Sequence, residues 1–195
     1  LAEQYVNSVP GDLGTPNVIT GILLAYRAFD TLGEVAVLFM VAAGVGLVLS
    51  GSGKADEVRR ELTPASELVQ SGAEVLLPLI FIFAAYIIMN GHLSAGGGFQ
   101  GGAVIASGVM LLLLAKPSTK LAQDFLSLAE SLAGALFVAV GIAGLLFAGG
   151  FLDNRVLPLG QFGAFFSAGA IPVISILLGI KVGAELSVII HRFRN

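Results

Sequence analysis

The sequence has very few charged residues for its length. Aspartate, glutamate, lysine and arginine make up 12% of its 195 residues, whereas a soluble domain contains about 25%. Hydrophobic residues make up 56%, and the mean hydropathy is +0.93. Because the chain lacks the polar surface that a protein in water needs, the composition predicts an integral membrane protein.

Cysteine is absent, which excludes a disulfide framework and a thiolate metal site. The net charge of −3 is small, and the basic residues form no stripe that would suit nucleic acid. No group of residues is typical of a metal, flavin or haem site. We therefore expect no cofactor and no nucleic-acid partner, and any redox chemistry would belong to other subunits.

The chain begins at Leu1 and not at methionine. Residues 1–15 are polar and rich in glycine and proline, and they lack both the basic n-region and the apolar h-region of a signal peptide. The sequence is expected to be either a processed chain or an excerpt, with room for an earlier membrane segment ahead of it.

Five apolar runs are candidates for membrane crossings, each of which takes about 20 helical residues. A short helix ahead of them, started by Pro16 and capped by Thr15 or Asn17, is predicted to end near Phe29. The prediction is an all-α polytopic membrane bundle of about five transmembrane helices with a short N-terminal interfacial or half helix. Pro172 is expected to kink the fifth crossing near the midplane. The five runs lie at 32–50, 73–90, 101–115, 128–152 and 157–190.

A charged stretch separates the first run from the other four. It predicts a one-crossing unit at 1–53, a charged cytoplasmic linker at 54–72 and a four-crossing unit at 73–195. Lysine and arginine mark the cytoplasmic side of membrane proteins, and five crossings place most of them on one side. We therefore expect an external N-terminus and a cytoplasmic C-terminus. The basic residues on that side are Lys54, Arg59, Arg60, Lys116, Lys120, Arg192 and Arg194.

The stretch NGHLSAGGGFQGG, at 90–102, contains six glycines. Gly96, Gly98 and Gly101 satisfy the G-x-G-x-x-G pattern, but a dinucleotide site needs a preceding strand and a later acidic residue. Here a membrane helix precedes the run, so the phosphate interpretation is rejected. Two interpretations stay open: a tight external turn, or a loop that dips inward and lines an ion pathway.

Two groups of ionisable residues fall in or beside the crossings, where charges are costly and are functional hypotheses by default. Arg27, Asp30 and Glu34 would share one face of a continuous helix, with a break expected near 30–31. They form either a salt-bridged helix start or part of an ion path. Lys181 and Glu185 lie one turn apart, as a fixed ion pair or as a proton relay.

Three further residues are less clear from the sequence. Glu74 is predicted to be an interfacial cap of the second crossing, and Glu130 has no assigned role. His92 could titrate near neutral pH, although a single loop histidine often serves only as a hydrogen-bonding residue.

Two motifs resemble a known family. NVITGILLAYRAFDTLGEVAVLFMVAAGV resembles the C-terminal extension of the large subunit of Mrp (Mnh) Na⁺/H⁺ antiporters, a unit that is also a separate subunit in membrane-bound hydrogenases. IIMNGHLSAGGGFQGGAVIA is similar to the N-G-H-x-x-P-G-G-G-F-x-G-G pattern of the MrpB (MnhB) subunit, with Ala95 in place of the proline. Their fusion without a large antiporter domain resembles hydrogenase and sulfane reductase complexes more than a free-standing antiporter.

The resemblance implies a prokaryotic plasma-membrane subunit that is not catalytic alone and that helps to couple Na⁺ and H⁺ movement. Implied partners are the lipid bilayer, a large antiporter-like subunit, MrpC-, MrpD- and MrpG-like subunits, and hydrogenase or iron–sulfur subunits. The R-x-F-D-T-x-G-E motif assigns Arg27, Asp30, Thr31 and Glu34 to the ion path. His92 of the loop and the pair Lys181 and Glu185, which depend mainly on the burial argument, complete the ion-translocation candidates. The structural motif comprises Asn90, Gly91, Gly96, Gly97, Gly98, Gly101 and Gly102.

The leading hypothesis is an ion-translocating subunit in which Asp30, Glu34, Lys181 and Glu185 relay protons or Na⁺. The alternatives are a purely structural subunit and a subunit of a free-standing secondary antiporter. An independent small transporter is disfavoured, because the five crossings show no internal repeat that would form a midplane site.

Overall fold

The computed structural model describes residues 2–51 and 65–194, and within these ranges the chain is helical and contains no strand. An isolated bridge joins Gly160 and Ser167. The predicted all-α class is confirmed. The seven α-helices are α1 (Ala2–Leu13), α2 (Val18–Gly21), α3 (Ala28–Gly51), α4 (Glu67–Met89), α5 (Gly98–Ala115), α6 (Gln123–Phe147) and α7 (Ile171–Arg194).

Helices α3 to α7 are long and apolar enough to cross a membrane. The shortest, α5, has 18 residues, which is about 27 Å at 1.5 Å per residue and close to the roughly 30 Å of hydrocarbon in a bilayer. The five predicted crossings are therefore present among the described residues. Helix α4 begins at Glu67 and so includes the end of the predicted 54–72 linker, whose residues 54–64 lie outside the described ranges.

The N-terminal region is more helical than the sequence indicates. Residues 1–15 are polar and rich in glycine and proline, but α1 occupies most of them and buries Val9 and Leu13 against the bundle. The predicted short helix is present as α2, and Asn17 caps it by accepting from the Thr20 N–H. A π-helical turn at Ile22–Tyr26 follows α2, and a bond from the Arg27 N–H to the Ile22 carbonyl closes it.

The break before the first crossing lies at Arg27, whose φ is −116°, and not near 30–31 as predicted. The π-helical turn ends the short helix early, because its wider i→i+5 bonding does not continue into α3. Asp30, Thr31 and Glu34 therefore all belong to the first turns of α3.

The fifth crossing also differs from its prediction. It begins at Ile171, and the predicted residues 157–170 form an irregular loop after a short 3₁₀ turn at Asn154–Val156. Pro172 is thus in the first turn of α7, where its missing N–H needs no intrahelical partner. The predicted midplane kink at Pro172 is wrong.

Buried Asn154 fixes the loop that precedes α7. Its side-chain Nδ2 donates to the backbone carbonyl oxygens of Leu13 (2.9 Å) and Ala168 (3.0 Å). Its backbone carbonyl oxygen accepts from the Ala170 N–H at 2.9 Å. These bonds connect the end of α1 to the start of α7.

Helix α7 is the centre of the bundle and contacts each of α3, α4, α5 and α6. Glycines permit the closest of these contacts, as small residues do between membrane helices. A Cβ added to Gly102 of α5 would lie 2.8 Å from the Cβ of Val182, and one added to Gly98 would lie 2.5 Å from the Ser175 carbonyl oxygen. The α5–α7 contact therefore depends on backbone packed directly against backbone and Cβ atoms.

We expect Gly98→Ala to destabilise the protein. The added methyl group would also lie 2.6 Å from the Cβ of Leu178, so α5 and α7 must separate, and overpacking of this kind costs roughly 1–3 kcal/mol. Thermal unfolding of the purified complex in detergent measures the loss. Gly72→Ala is the matched control, because nothing lies within 4 Å of its added Cβ; equal melting temperatures for the two variants would contradict the packing argument.

Candidate functional site

The loop between α4 and α5, residues 90–97, is the centre of the candidate site and is called the glycine loop below. Its carbonyl groups accept hydrogen bonds from Asn17, which caps α2, and from Thr20 within α2. Asn17 Nδ2 donates to Gly91 (2.7 Å) and Ser94 (2.6 Å), and Thr20 Oγ1 donates to Gly91 at 2.8 Å. These bonds join two segments that are more than 70 residues apart in the sequence.

His92 is buried beneath this contact. Thr15 Oγ1 donates to its carbonyl oxygen at 2.6 Å, and its ring Nε2 lies 3.1 Å from the Phe165 carbonyl oxygen, so Nε2 bears the hydrogen of the neutral ring. Nδ1 has no hydrogen-bond partner among the described residues. Burial lowers the pKa of His92, because the charged ring would lose its hydration, and nearby backbone carbonyl groups oppose this shift only in part. The lowered pKa favours the neutral form of His92.

The glycines of the motif shape the turn and the start of α5. Gly97 has a φ of +145°, which side-chain-bearing residues rarely adopt. A Cβ on Gly91 would lie 2.6 Å from the Cα of Gly97, and one on Gly101 would lie 3.0 Å from the Ala84 carbonyl oxygen of α4. The predicted tight turn is therefore present, and close backbone approach explains its glycines.

The glycine loop also borders a cavity of about 50 Å³, called the Glu34 cavity below. A volume of this size holds about three water molecules. One wall comes from α2, the π-helical turn and α3, and another comes from the loop, α5 and α7. Its lining residues are Ile19, Thr20, Leu23, Leu24, Thr31, Glu34, Gly96, Gly97, Gly98, Phe99, Gln100 and Leu178.

The four residues of the R-x-F-D-T-x-G-E motif have different surroundings. Arg27 and Asp30 form an exposed ion pair with each other, as the salt-bridge interpretation predicts. Thr31 is buried and donates through Oγ1 to the Leu23 carbonyl oxygen at 2.7 Å. Glu34 is exposed beside the cavity, and none of the ion pairs within residues 2–51 and 65–194 includes it.

A second set of charges lies between α6 and α7 and is called the glutamate–lysine cluster below. Lys181 Nζ is 2.6 Å from Oε2 of Glu185 and 3.6 Å from Oε1 of Glu130. Lys181 and Glu185 are buried, and Glu130 is partly exposed. The predicted Lys181–Glu185 pair is therefore formed, and Glu130 is a third member that the sequence analysis left without a role.

The two sites are separate but adjacent along α7. Leu178 lines the Glu34 cavity, and Lys181 follows it by about one helical turn. The Phe39 ring of α3 covers the lysine, with its centroid 5.9 Å from Nζ. Glu74 lies apart from both sites in an exposed ion pair with Lys116 (2.6 Å), which does not match the predicted cap.

Metal ligands are not gathered at either site. Over the described ranges, no three histidine, aspartate or glutamate side chains come together in a way that could hold a metal ion. The groups available at the Glu34 cavity are one carboxylate, an amide, hydroxyl groups and backbone carbonyl oxygens.

Comparison with known proteins agrees with this architecture. Residues 68–188 match the family model described as a domain related to the MnhB subunit of Na⁺/H⁺ antiporters. The chain belongs to this MnhB-related family. The match confirms the family predicted from the glycine motif, and the chain is a membrane subunit of an Mrp-type module.

Two curated relatives cover different parts of the chain. An uncharacterized protein of Methanocaldococcus jannaschii is 32% identical over 197 residues, which cover 88% of this chain and 74% of the relative. A subunit of the Na⁺/H⁺ antiporter of Bacillus subtilis is 35% identical over 81 residues, which cover 42% of this chain and 51% of that relative.

Two solved structures have a similar fold. A chain of the membrane-bound sulfane sulfur reductase, an archaeal respiratory membrane complex, aligns with a TM-score of 0.87 and 36% identity over 99% of this chain and 84% of that one. A chain of the Mrp complex from Dietzia sp. DQ12-45-1b aligns with a TM-score of 0.77 and 24% identity over 97% of this chain and 22% of that one. The second likeness shows the fold alone.

Acidification is expected to destabilise the protein through His92. Because burial lowers the pKa of His92, the unfolded chain binds its proton more readily than the folded chain does. Stability from neutral His92 is fully present above the ordinary value of about 6.5 and is lost as the pH falls through it toward the lower folded pKa. Thermal unfolding on both sides of that pH measures the loss. His92→Gln should have a weaker pH dependence, and an unchanged dependence would assign the effect to other groups.

Proposed function

We propose that this subunit contributes to the movement of Na⁺ and H⁺ through its complex, and that the ions pass the Glu34 cavity. One observation supports the proposal most. The cavity places Glu34 and Thr31, from the segment that resembles the large antiporter subunit, opposite Gly96–Gly98 of the MnhB-like loop. Two motifs that are distant in sequence thus face one small space, whose mainly apolar lining also includes Glu34, Thr31 and Gln100.

The chemistry of the cavity suits a partly hydrated cation. Carboxylate, carbonyl and water oxygens are ligands for hard cations, and the side chains of Glu34 and Gln100 supply such groups at the cavity. Irregular backbone at membrane depth is tolerated where it lines water or is buried in protein. Gly91, His92 and Gly97 of the loop are buried, and Gly96 and Gly97 border the cavity.

The exposure of Glu34 indicates where the rest of the route lies. Its carboxylate is on the outer surface of α3, within a helix apolar enough to cross a membrane. A charged side chain there costs a few kcal/mol against lipid. We therefore expect a neighbouring protein of the complex to cover Glu34 and to provide the other wall of the ion path.

The other predicted site residues have different proposed roles. Lys181 and Glu185 are proposed as proton-relay groups, with a fixed ion pair as the alternative. The Arg27–Asp30 pair holds the start of α3 and is not placed on the route. A structural subunit is the second candidate function, because the tight α5–α7 packing would also serve a brace.

The membrane location and orientation are part of the same proposal. Arg194 donates to the carbonyl oxygens of Pro117 (3.0 Å) and Thr119 (3.2 Å), which brings the C-terminus of α7 beside the loop that carries Lys116 and Lys120. Basic residues gathered at one end of a bundle mark the cytoplasmic side. We therefore assign this end to the cytoplasm of a prokaryotic cell and the glycine loop to the outside.

Neutralising Glu34 distinguishes the two functions. We expect Glu34→Gln to assemble into the complex normally but to lower Na⁺-dependent H⁺ movement in everted vesicles at least tenfold, about 1.4 kcal/mol in the barrier, because the cation loses its counter-charge. Quantitative mass spectrometry of the co-purified subunits measures assembly. Glu74→Gln, on an exposed glutamate paired with Lys116, is the control. Loss of assembly in Glu34→Gln would support the structural-subunit function. Normal transport in this variant would show that Glu34 is not on the ion route.

The host complex is a separate question. The likeness to a chain of an archaeal respiratory membrane complex favours a redox-driven host. We expect mass spectrometry of the complex purified in mild detergent to find hydrogenase-like or iron–sulfur subunits beside antiporter-like ones. Antiporter subunits alone would instead indicate a secondary Na⁺/H⁺ exchanger, and a stable isolated chain would contradict the assignment to a multisubunit complex.

A further inference from the structure

We propose that Glu130, Lys181 and Glu185 form a buried proton-binding site that holds one proton at neutral pH. The inference deepens the proposed function, and its use in transport rests on that function. The protonation of the cluster itself follows from the charges and contacts between α6 and α7.

The charge of the cluster is unbalanced. Two carboxylates and one ammonium group leave one negative charge when all three are ionised. Glu185 is 0% exposed, and the side chains of Lys181 and Glu130 are 6% and 15% exposed. A net charge without solvent is costly inside a protein. One bound proton makes the cluster neutral.

The hydrogen bonds identify the atom that takes the proton. Oε2 of Glu185 accepts from Lys181 Nζ at 2.6 Å, whereas Oε1 of Glu185 is buried and has no partner among the described residues. Protonation forms an O–H bond at this bare oxygen and removes the excess charge. Release breaks the same bond and restores the carboxylate.

Within residues 2–51 and 65–194, the elements around the cluster supply no other charge to balance it, and Asp124 of α6 is exposed. Helix α5 contains no ionisable residue, α3 presents the Phe39 ring to Lys181, and Glu74 of α4 is exposed and paired with Lys116. Glu34 of α3 borders the cavity on the other side of Leu178. On α7 the next ionisable groups are His191, Arg192 and Arg194, nearly two turns or more beyond Glu185.

Helix α6 places a carboxylate beside the ammonium group of Lys181 and a glycine beside its aliphatic stem. Glu130 and Gly134 are one turn apart, and a Cβ added to Gly134 would lie 3.5 Å from Cε of Lys181. The glycine leaves room for the lysine stem while Glu130 faces its ammonium group. A fixed ion pair needs only Glu185, so the second carboxylate is what gives the cluster its capacity for a proton.

The site suits a proton better than a sodium ion. Sodium needs several oxygen ligands, and the Lys181 ammonium group occupies one side of Glu185 and repels a second cation. A proton needs only the bare oxygen. Glu130 is the more exposed carboxylate, so a proton released from Glu185 passes to Glu130 and then to water.

Infrared difference spectroscopy of the purified complex tests the proposal. We expect the wild type at neutral pH to show the carbonyl band of one protonated, buried carboxyl group, which shifts in D₂O. Glu185→Gln should abolish this band. Glu130→Gln should also abolish it, because the remaining Lys181–Glu185 pair is neutral without a proton. Lys181→Met should add a second protonated carboxyl group.

The outcomes separate the possible explanations. Glu74→Gln should leave the band unchanged. Absence of the band in the wild type, or its persistence in Glu130→Gln, would overturn the proposal, and the second result is decisive even where Glu185→Gln does not assemble. Loss of the band when NaCl, but not choline chloride, is added at constant pH would overturn it in favour of a sodium site.

The proposed ion route can fail independently of this site. Glu34→Gln should retain the carboxyl band whatever its effect on transport. Normal transport in Glu34→Gln together with the expected band changes would refute the route through the cavity and support the proton site. Loss of transport in Glu34→Gln, together with absence of the cluster band, would support the route through the cavity and refute the proton site.

Discussion

The Lys181–Glu185 ion pair requires α7 to be the central helix of the bundle. Charged side chains within a membrane helix cost a few kcal/mol each when they face lipid, and α7 contains two of them in its interior. They are accommodated because α6 supplies Glu130, α3 supplies the ring of Phe39, and the remaining long helices also contact α7. The glycines of α5 follow from the same requirement, since they let α5 approach the α7 backbone closely enough to exclude lipid.

The close approach of α5 in turn determines the geometry of the glycine loop. A helix that starts against α7 at Gly98 must be reached from α4 by a tight turn, and such a turn leaves carbonyl groups without helical partners. Thr15, Asn17 and Thr20 donate to those carbonyl groups and so draw the N-terminal segment over the loop. The π-helical turn and α3 continue from that segment. Glu34 therefore lies beside the loop because the loop's carbonyl groups accept their hydrogen bonds from the N-terminal segment that leads into α3.

The sequence predicts the parts of this arrangement that have local signals. Five apolar runs, the Asn17 cap and the glycine turn each follow from residues that are close in the sequence. Helix α1 is not predictable in this way, because Val9 and Leu13 stabilise it only through burial against distant elements. The loop before α7 is as apolar as a helix, and its backbone is fixed by buried Asn154. Glu130 is 51 positions from Lys181, and no local pattern relates them. The Glu34 cavity likewise needs the fold to unite two motifs.

The order of the two sites along α7 matters for the proposed ion route. The Glu34 cavity lies near the glycine-loop end, and the glutamate–lysine cluster lies about one turn further toward the basic end, with buried Leu178 between them. The apolar side chain of Leu178 thus separates the cavity from the cluster. Charges still interact across such a short distance, because the low dielectric of a protein interior screens them weakly. A cation beside Glu34 and a proton on Glu185 can therefore influence each other without a continuous water path, whereas a simple brace would need neither the second carboxylate nor the cavity.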